Sequence, residues 1–164
     1  MKNAIIVVLV VVIGALGALL FTQNLGKNSE PSTPVNENSN SALDLSGKGL
    51  VEVPKNILDD NSAISLDVSN NNLTGALPAE IRKLTNLETL NAANNKMTGI
   101  PAEIGQLSKL RIANFANNNI SGLPLEIGNL KNLETLDLRG NPNVSKFDIS
   151  QIQPKIPNTK ILID

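Results

Sequence analysis

The stretch Leu87-Glu88-Thr89-Leu90-Asn91-Ala92-Ala93-Asn94-Asn95-Lys96-Met97 decides the fold, because the same pattern returns along the chain. Leu110 to Ile120 repeats it 23 positions later, Leu133 to Asn141 repeats it after a further 23, and Ala63 to Leu73 carries it 24 positions earlier. Self-similarity at such a period marks stacked units, none of which buries its apolar side without a neighbour. Within each unit two apolar residues stand two apart: Leu66 and Val68, Leu90 and Ala92, Ala113 and Phe115, Leu136 and Leu138. Period-two spacing puts both members of a pair on one face of a strand. After the turn come Leu73, Met97 and Ile120, and then the apolar-Pro pairs Val53-Pro54, Leu77-Pro78, Ile100-Pro101 and Leu123-Pro124. Ile57, Ile81, Ile104 and Ile127 follow three after the proline, and Leu84, Leu107 and Leu130 follow six after it. That spacing predicts about two turns of helix or a 3₁₀ segment with one apolar side, entered through a proline at the tolerated first position.

The pattern L-x-x-L-x-L-x-x-N-x-L resembles the leucine-rich repeat family over residues 42–164. Thr74-Gly75-Ala76-Leu77-Pro78 resembles its plant-type variant, whereas the 23-residue copies resemble the Ras-suppressor-type class. The resemblance implies an α/β fold: a right-handed solenoid of about five repeats plus a terminal strand, with a parallel concave sheet and short convex helices. It also implies a structural ladder at Asn71, Asn95, Asn118 and Asn141, whose side chains would bond backbone groups of their own and adjacent turns. The first coil has Lys48 in that place, and a Lys side chain offers no acceptor. Such a departure suits a terminal coil with one neighbour. Beyond Asn141, Phe147, Ile149 and Ile152 are expected to cover the open end of the core, and Ile161 and Ile163 to take the inward positions of the last strand. Plant extracellular members usually carry Cys-paired caps, so a chain without Cys points to a bacterial source.

Composition narrows the function. The 164 residues carry 14 basic and 15 acidic side chains, too even a mixture for a nucleic-acid face unless strongly sorted, and the charges are interleaved. Aromatic residues make up 2% of the chain and all are Phe, so the Trp and Tyr anchors of many interfaces are missing. With neither Cys nor His, thiolate nucleophiles, Cys/His zinc sites and Ser-His-Asp arrangements are closed to it. No catalytic residue, cofactor or metal ligand set is assigned.

The amino terminus bears on location. Residues 1–3 read as a cytoplasmic n-region, and from Ala4 to Phe21 no residue is charged or strongly polar. As a helix this run is about 27 Å long, against about 30 Å for a bilayer's hydrocarbon core. It is expected to form one N-terminal apolar helix, a transmembrane signal-anchor with the carboxyl-terminal domain outside the cytoplasm. The alternative is a signal peptide cleaved after Gly17, with Ala15 two residues before it, which would leave a secreted chain. Residues 22–41 are rich in Asn, Ser, Thr, Glu and Pro and read as a flexible linker.

In the fold that the resemblance implies, residues between the strand leucines face the concave side. The first such column is Ser65, Thr89, Ile112 and Thr135, headed by Ala42; the second is Asp44, Asp67, Asn91, Asn114 and Asp137; Arg139 ends a third column of small residues. These are the candidate partner-binding residues. Asp44 beside Asp67 is a like-charge pair that favours a cation or a basic side chain. Solvated columns of this kind also simply keep a sheet soluble, and too few acidic ligands converge for Ca²⁺. The reading is a non-catalytic, extracytoplasmic binding module for a protein, peptide or glycan; a structural or adhesive spacer without a discrete ligand is the alternative. More remote is a hydrolase using the Asp44–Asp67 carboxylate pair, for which an open sheet offers no water-excluding pocket.

Overall fold

The computed structural model describes residues 41–164. The n-region, the apolar run 4–21 and residues 22–40 of the linker lie outside the described residues; among those described, no helix is long and apolar enough to cross a membrane. The strands are β1 (Ser41–Asp44), β2 (Ala63–Asp67), β3 (Thr74–Gly75), β4 (Thr89–Asn91), β5 (Lys96–Met97), β6 (Ile112–Asn114), β7 (Thr135–Asp137) and β8 (Lys160–Leu162), with one α-helix, α1 (Lys146–Ile152). Six of them form one parallel sheet in the order β1-β2-β4-β6-β7-β8, one strand per coil. Ser41, the last residue assigned to the linker by sequence, is already part of β1.

Sheet register follows the repeat register. Leu66 lies beside Leu90, Leu90 beside Ala113, Ala113 beside Leu136 and Leu136 beside Ile161. These side chains meet the residues beyond the turn, so Leu66, Leu90, Met97, Phe115, Ile120 and Leu138 belong to one continuous buried core. Burial of a Leu or Phe stabilises by about 1.5–3 kcal/mol, and the core is renewed at every coil. The sequence did not foresee β3 and β5, which pair in parallel beyond the turn as a second, two-stranded sheet.

The turns after β2, β4 and β6 each contain an Asn with a left-handed backbone. That residue is Asn70, Asn94 and Asn117 in successive coils, with φ of 56°, 58° and 56°. Asn tolerates this region better than other side-chain-bearing residues. Their exposed amides also link up, Asn94 Nδ2 donating to Asn70 Oδ1 at 3.0 Å and Asn117 Nδ2 to Asn94 Oδ1 at 2.8 Å. Gly140 closes the series at φ 71°, where a Cβ would lie 2.2 Å from Asn117 Oδ1.

Inside the turn runs the ladder at Asn71, Asn95, Asn118 and Asn141, all buried except the half-buried Asn95. Asn118 donates to Phe115 O of its own coil and to Ala92 O of the preceding coil, each at 3.0 Å, and accepts from Met97 N at 3.0 Å. Asn141 repeats this with Leu138 O, Phe115 O and Ile120 N. At the first coil Asn71 Oδ1 accepts from Lys48 N and Leu50 N, so the lysine joins the ladder through its backbone. Lys48 Nζ turns back to Asp44 O at 2.7 Å.

The convex side consists of five-residue 3₁₀ segments, Lys55–Asp59, Ala79–Lys83, Ala102–Gln106 and Leu125–Asn129, each preceded by its proline. In the fifth coil α1 takes their place, capped by Ser145 Oγ, which accepts from Asp148 N. Here one expectation is corrected. Ile152 is fully buried and Ile149 packs against the core, but Phe147 is 73% exposed and covers nothing. Phe147 lies 23 residues after Pro124, in the register of the rim prolines and not of the core. Ile156 and Thr159 are buried beside Ile152 in its stead. In β8, Ile161 pairs with Leu136 and packs on the core, whereas Ile163 follows the strand and remains 36% exposed.

Candidate functional site

The concave face is assembled by strand register alone. Ser65, Thr89, Ile112 and Thr135 stand side by side on neighbouring strands, and Asp44, Asp67, Asn91, Asn114 and Asp137 form the parallel column. The structure thus brings together the residues chosen for each column. It also adds a member to both: Lys160 beside Thr135 and Leu162 beside Asp137. Sequence reasoning passed these over because the last strand was read only for its inward residues, although alternation about Ile161 already implied them.

The second column does more than face solvent. Asp44 Oδ1 accepts from Ser46 N at 2.9 Å, Asp67 Oδ1 from Ser69 N at 2.8 Å, Asn91 Oδ1 from Ala93 N at 3.3 Å, Asn114 Oδ1 from Ala116 N at 3.0 Å and Asp137 Oδ1 from Arg139 N at 3.1 Å. Each side chain therefore caps its own strand with the two-residue closure at which Asp and Asn excel. Sequence carried the signal, since an Asp or Asn stood at every strand end, but it was read as surface chemistry only.

The carboxylates are tuned for charge. Hydrogen bonds from the Ser46 backbone and hydroxyl hold the Asp44 carboxyl below its ordinary range. The Arg139 guanidinium, bonded to Asp137 through Nε and one terminal nitrogen, lowers the Asp137 carboxyl despite its burial. Asp67 is hydrogen-bonded on both oxygens, to Ser69 N and to Asn91 Nδ2.

Shape and polarity vary across the face. Ile112 is 43% exposed and, among the described residues, is the most exposed large apolar side chain of the sheet. Across the Asp/Asn column from it runs a sunken lane in the third column, where Ser69 and Ala93 are buried and Ala116 is half-buried. At the rim before the strands, Arg111 lies between Glu88 and Glu134, 3.8 Å and 2.8 Å away. Together with Lys109 and Asn132 these side chains line an open cleft of about 240 Å³. A second cleft, of about 530 Å³, lies away from the sheet, against Val51, Lys55, Ala76, Pro78 and Glu80. Among the described residues no three acidic, His or Cys side chains are grouped to hold a metal ion.

A solenoid whose coils each contribute one parallel strand, one buried Asn and one short convex arc defines a class of repeat protein. Family profiles described as Leucine Rich Repeat match residues 62–84 and 86–107, and one described as Leucine Rich repeats, two copies, matches residues 108–152. The chain belongs to the leucine-rich repeat family. Among solved structures it is similar to a leucine-rich repeat protein of Leptospira interrogans, with 38% identity, a TM-score of 0.64 and coverage of 68% of this chain and 28% of that one. It is also similar to the ectodomain of the Arabidopsis thaliana receptor kinase GASSHO1/SCHENGEN3, solved in complex with CASPARIAN STRIP INTEGRITY FACTOR 2. There the identity is 29%, the TM-score 0.60, and the coverage 68% of this chain and 13% of that one. The HAESA ectodomain of Arabidopsis thaliana, solved with an IDA peptide hormone, shares 26% identity with a TM-score of 0.57, over 69% of this chain and 20% of that one. The chain therefore spans well under a third of each of these proteins. Comparison with curated proteins finds no match.

Proposed function

We propose that this chain is a non-catalytic binding module of a bacterial envelope, held outside the cytoplasm by residues 4–21, and that it recognises a protein or peptide partner through its concave sheet. The observation that carries the reading is the continuous six-stranded face, whose outward columns are covered by no other element among the described residues and which leaves Ile112 exposed. Support comes from two of the similar structures, which hold a peptide hormone or an integrity factor in complex. The 38% identity to the Leptospira protein and the absence of Cys favour the bacterial source. Partner residues are Asp44, Asp67, Asn91, Asn114, Asp137, Arg139, Ser65, Thr89, Ile112 and Thr135.

A spacer without a ligand gains weight from the strand-end hydrogen bonds, which give the Asp/Asn column a structural occupation. Site-directed cross-linking separates the two readings, because the chain has no native Cys. With a photoreactive label on Thr89→Cys, on the concave face, native envelopes should yield a discrete adduct; with the label on the convex Gln106→Cys they should not. Adducts from the convex position alone, or from neither, refute recognition through the sheet.

A further inference from the structure

The concave face has an internal polarity that specifies what would lie on it. Ile112 forms an apolar point on the fourth coil, in the first outward column. Two coils away, Asp67 stands beside Asp44, and among the described residues neither carboxylate has a cationic side chain in ion-pair contact, although Lys48 is close to Asp44. The other charges around Ile112 are already compensated: Asp137 by Arg139 on the face, Glu88 and Glu134 by Arg111 on the rim. An apolar point and a negative pair without a cationic partner are therefore the two unmet demands of the first four coils, while Lys160 on the last strand has no ion-pair partner among the described residues.

Resting on the concave-face reading, we infer that the partner is an extended protein segment laid across the strands. It sets a Lys or Arg over the Asp44–Asp67 pair and an apolar side chain over Ile112. From between the first two coils to the fourth is two and a half strand spacings, about 12 Å, and the step from the second column to the first adds about 7 Å along the strand, a diagonal of about 14 Å, which an extended segment covers at about 3.3 Å per residue. The basic and apolar residues of the partner therefore stand about four apart. A glycan fits less well, since sugar rings stack on aromatic faces and Phe115 is buried in the core while Phe147 lies away from the sheet, on α1. A nucleic acid would bring phosphates against the carboxylates.

The test is selection of a displayed random dodecapeptide library on the full chain, followed by affinity measurement of the enriched peptides. Enriched peptides should carry a basic residue about four positions from an apolar one. Asp44→Asn with Asp67→Asn removes the charge and keeps the strand-end acceptors, so it should weaken these peptides at least about tenfold and blunt their salt dependence. Ile112→Ser should weaken them as well, and Phe147→Ser should leave them unchanged. If Ile112→Ser abolishes binding while the double Asn variant binds normally, the basic-residue assignment is overturned and the concave reading stands. If only Phe147→Ser matters, both fail. A library that yields no such pattern, or one enriched in acidic peptides, also overturns the inference.

Discussion

Asn118 joins two coils with one side chain. Its amide satisfies a carbonyl in each coil and its oxygen receives the Met97 N–H, all in a site where the residue is 8% exposed. Unmet buried backbone groups cost about 1–3 kcal/mol each, so Asn118→Ala should lower stability by about 2–4 kcal/mol in urea unfolding. The adjacent Asn119 is exposed, and Asn119→Ala should stay within about 0.5 kcal/mol of the parent. Equal losses at the two positions would disprove the ladder's energetic role. This ladder was legible in sequence through the family resemblance, which assigns that role to an Asn recurring at one register of the repeat. The strand-end role of Asp44, Asp67, Asn91, Asn114 and Asp137 was not read, because the bond goes to the residue's own backbone two positions on. No periodicity distinguishes an Asp that waits for a partner from one already occupied.

At the level of elements, the convex arcs pack more tightly than their sequence suggests. A Cβ on Gly105 would meet the Glu126 backbone oxygen at 2.4 Å, and one on Gly128 would meet the Lys155 side chain at 2.6 Å. The first neighbour is backbone of the next arc and cannot rotate away, whereas the second is a flexible chain. Gly105→Ala should therefore cost about 1–3 kcal/mol through overpacking. Gly99 has nothing within 4 Å of its would-be Cβ and no left-handed φ, so Gly99→Ala should be neutral or slightly stabilising by thermal denaturation. A neutral Gly105→Ala would mean the arcs are free to separate. The coil in front has Arg82 after its isoleucine where Gly105 follows Ile104, so the repeat pattern alone gave no warning. Phe147 teaches the same lesson: its register matched the rim prolines, but apolar character alone suggested a lid. Whether a position is covered depends on the neighbouring coil, and that information is not contained in the coil that owns the residue.

On the scale of the whole molecule, the repeats explain how a surface is held, and the proposed anchor would set where. Residues 4–21 are long enough for one bilayer crossing, and a linker of about 20 residues has a root-mean-square reach of roughly 25 Å. A sheet tethered in this way would sample partners at or close to the membrane, which limits the search volume and raises their effective concentration. Anchoring predicts that the mature chain keeps its full mass of 17.4 kDa, remains in the membrane pellet after an alkaline carbonate wash, and loses its repeats to protease added from outside. A chain shortened by residues 1–17 and found in the soluble extracytoplasmic fraction would favour the secreted form. Protection from external protease until lysis would instead defeat both export readings. Separating these outcomes matters for the site as well, because a segment with a basic residue set over Asp44 and Asp67 reaches a tethered sheet only from the same side of the membrane.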